Sequence, residues 1–174
     1  MGVLVGLGLA ASTANALDIV TKVSIDSGYD PLTISALTAS GVSVEVLGAP
    51  GGNAQRVADR LRLPGWFRSA PFLAIGSDEA SRETDRLVLV FGPARNVDGT
   101  DACRGIAAPN QGPDTIVQAA FCYGPRAISE ARLSSPTLSS PEAPGFEAAM
   151  RQLLRELLPR RDPNRDNRDR CIFC

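Results

Sequence analysis

Apolar and polar residues alternate through Val42-Ser-Val44-Glu-Val46-Leu47 and stop at Gly48, which predicts a strand with one face toward a core. Gly48 to Gly52 then reads as a turn. Asn53 is placed as the N-cap of a helix carrying Ala54, Val57, Ala58 and Leu61 on one face, and Pro64-Gly65 ends it. From Trp66 to Ile75, the residues Trp66, Phe67 and Phe72 gather around Pro71 and predict an irregular aromatic segment. The run Arg86 to Phe91 (RLVLVF) is the strongest strand signal in the chain, bounded by Gly92-Pro93.

The stretch Ala94 to Pro113 has no periodicity and is rich in Gly, Pro, Asn and Asp, so a long surface loop containing Cys103 is expected there. Thr115 to Cys122 and Ala127 to Leu133 are two further strand-like runs, joined through Tyr123-Gly124-Pro125 as a hairpin. Ser134 to Ser140 reads as a linker. Phe146, Ala149, Met150, Leu153, Leu154 and Leu157 then recur at helical spacing, with Glu147, Arg151, Arg155 and Glu156 opposite them and Pro159 as the stop. The fold class that follows is α+β: a mostly antiparallel sheet of about four strands with two helices packed on one face, the first crossover being open to a parallel pairing.

At either end the pattern changes. Gly2 to Ala11 is small and apolar, and Ala14-Asn15-Ala16 has the small-x-small form of a signal-peptidase site, so residues 1–16 are expected to be an export signal and Leu17 the first mature residue. No Lys or Arg precedes Lys22, so a basic leading region is missing, and a buried N-terminal strand or helix is the competing reading. Residues 17–159 are assigned to a single α+β domain. Residues 160–174, beginning RRDPNRDNRDR and ending in Cys-Ile-Phe-Cys, are expected to be a solvated, disordered polar tail.

Composition narrows the chemistry. Among 174 residues, 44% are hydrophobic and 18 bases face 19 acids, so there is no electrostatic case for nucleic acid. The chain has no histidine, which excludes Ser-His-Asp and Cys-His catalysis and every His-containing zinc site. No cofactor or metal motif is recognised, and no transmembrane segment is expected in the mature chain.

Four cysteines allow three pairings. Cys103 and Cys122 flank one loop, whereas Cys171 and Cys174 lie beyond a helix stop and a charged segment, so a Cys103–Cys122 disulfide is expected. Cys171-Ile-Phe-Cys174 is formally both a redox C-x-x-C and a prenylation C-a-a-X, yet a tail offers no helix N-terminus to activate a thiol, and prenylation contradicts export. Gly48, Gly51, Gly52 and Asn53, together with Trp66, form the candidate binding residues. The glycine turn lacks the Lys-Ser/Thr of a P-loop, and a plain connecting turn is preferred there to a phosphate site. Asp78, Glu79, Glu83 and Asp85, interleaved with Arg82 and Arg86, read as a solvated charged loop rather than an acid–base pair.

Val44-Glu-Val-Leu-Gly48 followed by Pro50-Gly-Gly52, Leu87-Val-Leu-Val-Phe91, a loop cysteine, Gln118-Ala-Ala-Phe-Cys122 and a closing helix ending Leu157-Leu158-Pro159 resemble a group of small exported bacterial proteins of unknown function. The resemblance spans residues 42–159 and departs at Gly51, where a large apolar residue is expected. It implies an envelope location and paired cysteines, and no activity. The functional expectation is a non-catalytic periplasmic or envelope domain that binds a protein partner through the long loop and the segment around Trp66. The alternatives are an envelope enzyme using carboxylates or a thiol, and a protein tethered through Cys171 or Cys174.

Overall fold

A computed structural model describes residues 18–80 and 84–162. In chain order the elements are β1 (Ile19–Ile25), α1 (Pro31–Leu37), β2 (Val42–Leu47), α2 (Ala54–Ala58), β3 (Phe72–Ile75), α3 (Ser77–Ala80), β4 (Asp85–Phe91), α4 (Gly99–Cys103), β5 (Ile116–Tyr123), β6 (Arg126–Ser134) and α5 (Phe146–Leu157). One-turn 3-10 helices add Pro50–Gly52 and Pro136–Ser139. The expected export signal and the tail with Cys171 and Cys174 lie outside the described residues.

The α+β class holds, but the sheet is larger and mixed. Six strands take the order β1-β6-β5-β4-β2-β3. β2 pairs in parallel with both β3 and β4, while β4-β5, β5-β6 and β6-β1 are antiparallel. The expectation of about four mostly antiparallel strands is therefore corrected, because strand pairing between distant segments leaves no local mark. β1 and α1 add elements that the pattern reading does not include. α1 begins where Asp30 accepts hydrogen bonds from the Leu32 and Thr33 amides and Pro31 occupies the first turn.

The helices are corrected as well: five α-helices are present among the described residues, and they cover both faces of the sheet. On the first face, Ile34 of α1, Val57 of α2 and the Leu stripe of α5 join Val44, Leu87, Leu89, Val117, Phe121 and Leu133 in the main core. On the second face, Val88, Val90, Ala120 and Cys122 pack with Val97, Ala102, Cys103 and Ala107. Cover on both faces explains why β4 is apolar without alternation. It also explains why the stretch from Ala94 to Pro113 is not simply a surface loop. That stretch contains α4, which starts with a reciprocal capping box between Asp98 and Asp101 and contributes buried Ala102 and Cys103.

Other boundaries shift for local reasons. Asn53 does cap α2, accepting from the Arg56 amide at 3.1 Å, but the helix ends at Ala58 and Leu61 is buried beyond it. Within the aromatic segment, Phe72 to Ile75 is a regular edge strand rather than irregular chain. Its outward-facing Ala74 amide donates to the Gln55 side chain of α2 at 3.2 Å, which blunts this edge. The expected linker at 134–140 forms a 3-10 turn that buries Leu138. Past α5, the Tyr29 hydroxyl donates to the Pro159 carbonyl at 2.7 Å. Burial first, and then the Asp162 and Asp30 carboxylates, raise the Tyr29 phenol well above its usual range.

Candidate functional site

The parallel strands β2 and β4 lie side by side, but the chain does not pass directly between them. It leaves β2 through α2, on the first face, to reach β3 on one side. It returns through α3 to β4 on the other side, and Ala80 of α3 borders a cleft on the second face together with Glu45 and Leu47. The chain leaves the carboxyl end of β2 toward β3 and that of β4 toward β5, in opposite directions along the sheet, and in α/β sheets a crevice at such a switch point, outside the carboxyl ends of the strands, is the usual ligand seat.

A crevice of about 530 Å³ opens at that position, a size within the roughly 300–1,000 Å³ of small-ligand sites. Gly48 to Gly52 and Ala54 form one wall, Asn110, Asp114 and Ser139 the other, and Val46, Phe91 and Leu138 the apolar floor. Gly48 has φ +67, and a Cβ there would come within 2.6 Å of Pro109 Cβ and 3.0 Å of the Phe91 carbonyl oxygen, so only glycine fits. Gly51 and Gly52 also have positive φ, but nothing lies within 4 Å of where their Cβ atoms would be. Their backbone borders open space in the crevice.

Several amides at and beside the crevice are already committed. The Gly52 amide donates to the Ala49 carbonyl at 2.8 Å, and those of Gln111 and Gly112 to the Gly92 carbonyl at 2.8 and 2.9 Å. The Asn110 amide donates to Phe91, and Asn53 occupies the start of α2. Among the described residues, the side chains of Asn110 and Asp114 have no hydrogen-bond partner within the protein.

Trp66 is not part of this crevice. Its indole Nε1 donates to the Leu158 carbonyl at 2.9 Å and its ring borders a separate depression with Pro31, Leu32 and Arg160. The candidate binding residues therefore divide, with the glycine turn and its Asn53 cap at the switch point and Trp66 elsewhere.

Cys103 and Cys122 are joined as expected, with Cα atoms 5.6 Å apart. The long loop doubles back over the second face as α4, which places Cys103 above β5. Both sulfurs are consumed, so neither residue is a nucleophilic thiol. Double replacement of the pair by alanine is expected to cost about 3 kcal/mol, the chain-entropy value for a loop of this length. Urea unfolding of the wild type with and without reductant should reproduce the loss. Coincident curves would show that the bond does not constrain the unfolded chain.

The charged segment before β4 requires a correction. Glu83 and Arg82 lie outside the described residues, and Asp78 and Glu79 begin α3. Arg86, however, is not solvated. Its Nε contacts Glu45 at 3.4 Å, its guanidinium donates to the carbonyls of Cys103 at 2.6 Å and Gly124 at 3.3 Å, and both charged side chains are at least nine-tenths buried. Arg86 thus ties β4 to β2, α4 and the β5–β6 turn. Glu45 was hidden in the sequence because the polar position of an alternating strand normally faces water, whereas here the second face is covered.

Among the described residues, no three carboxylate or thiol groups gather in a way that could hold a metal ion, and no helix is long and apolar enough to cross a membrane. Comparison of the chain with protein-family models, with curated proteins and with solved structures gives no significant match.

Proposed function

We propose that this protein is a non-catalytic binding module of the cell envelope, and that a protein partner inserts into the crevice at the carboxyl ends of β2 and β4. The observation that carries this reading is the position of the crevice at the switch point, where diverging connections leave a gap that the fold itself does not fill. The connection between α4 and β5 contributes one wall through Asn110 and Asp114, and the disulfide ties the end of α4, at Cys103, to β5. A rigid seat of this kind favours binding, because little ordering remains to be done on association. The envelope location is supported by the disulfide, which suits an oxidising compartment.

Blocking the crevice from opposite walls tests the proposal. Ala54→Trp and Ser139→Trp each place a large ring in the open space, and neither residue is part of the main core. Captures from a native envelope fraction with the full chain should yield a partner that both variants lose, while their melting temperatures stay close to that of the wild type. A partner retained equally by both folded variants would place the interface elsewhere.

A further inference from the structure

We infer that the group recognised in the crevice is a basic side chain, lysine or arginine, presented by the partner. This rests on the reading of the crevice as the binding seat and specifies its chemistry. Asp114 carries the only formal charge in the lining, and no lysine or arginine is present there to receive an anion. The amides of Gly52 and of residues 110–112, which would otherwise help to cradle a phosphate or carboxylate, are bonded within the protein. What faces the opening is acceptor-rich: the Asp114 carboxylate, the Asn110 amide and the Ser139 hydroxyl.

Below these groups the floor of Val46, Phe91 and Leu138 is apolar. A long basic side chain matches both levels, since its methylene stem covers apolar surface while its charged head stays at a polar, solvated rim. An acidic side chain meets Asp114 with like charge and finds no cationic partner in the lining. A purely apolar side chain leaves the carboxylate and amide without partners.

Titration of the isotope-labelled full chain, followed by amide chemical shifts, tests the inference at the millimolar affinities expected of a single side chain. The probes are capped tripeptides Ala-Lys-Ala, Ala-Arg-Ala, Ala-norleucine-Ala and Ala-Glu-Ala, with maltose and inorganic phosphate alongside. The lysine and arginine peptides should shift the Gly51, Gly52 and Asp114 amides saturably, and added salt should weaken the effect. Asp114→Asn should lower their affinity roughly two- to fivefold, the range of an exposed ion pair, while Asp114→Glu retains it.

If norleucine, glutamate, maltose or phosphate shifts the same amides as strongly, and Ala54→Trp abolishes the effect, the seat stands and basic recognition is overturned. If the basic peptides shift only residues elsewhere, or if Ala54→Trp leaves their binding intact, the seat itself is wrong. Unchanged affinity in Asp114→Asn overturns the role of the carboxylate, and with it the inference.

Discussion

Replacing Arg86 with methionine is expected to destabilise the protein by about 3–5 kcal/mol, because it strands the Glu45 carboxylate in a buried position with no counter-charge. The loss extends beyond the ion pair. The carbonyls of Cys103 and Gly124 lose their guanidinium donors, so three separate elements are released from β4 by one substitution. The double variant Arg86→Met, Glu45→Leu should be markedly more stable than the sum of its single changes. Removing both charges also removes the desolvation cost, and apolar replacements of buried pairs are often neutral. Urea unfolding of the two single variants and the double variant gives the coupling directly. A loss below about 1 kcal/mol in Arg86→Met would mean that water reaches the pair, as at an exposed salt bridge.

Leu154→Ala in α5 is expected to cost about 2–5 kcal/mol, and Leu153→Ala and Leu157→Ala fall in the same range. All three side chains are fully buried, within a stripe that also includes Phe146, Ala149 and Met150 and that packs on the first face of the sheet. Truncation therefore removes buried apolar surface and leaves a cavity that a close-packed neighbourhood cannot fully close. The exposed Arg155 on the opposite face provides the contrast, since Arg155→Ala should change stability by less than about 0.5 kcal/mol. Equal melting temperatures for all four variants would mean that α5 does not dock on the sheet.

These two predictions differ in how they could have been reached. The Leu stripe was legible because helical periodicity repeats within a dozen residues and Pro159 marks the end. Arg86 was misread because its neighbours Asp78, Glu79, Glu83 and Asp85 form a mixed-charge run, and such runs are normally solvated. Only the approach of Glu45, 41 positions earlier in the chain, reveals the pair. The crevice was half legible in the same sense. Gly48, Gly51, Gly52 and Asn53 stood out as a turn leading into a helix, but Asn110, Asp114 and Ser139 opposite them carried no local signal. A left-handed residue such as Asn110, at φ +57 in a Pro-Asn-Gln-Gly-Pro stretch, was a usable hint of a shaped turn, though not of what it faces.

By itself the sequence determined the elements whose signals are local: strands β2 and β4, the β5–β6 hairpin, helix α5 and the pairing of Cys103 with Cys122 across one loop. Periodicity, turn residues and loop closure act over a few to about twenty residues, so they can be read along the chain. The tertiary structure alone decided the parallel pairing of β2 with β3 and β4, the joining of β1 to β6, and the folding of the long loop into α4 over the second face. Those choices depend on which distant segments share a ladder and which faces need cover. The energy resides in contacts between partners far apart in sequence, and neither partner declares it alone.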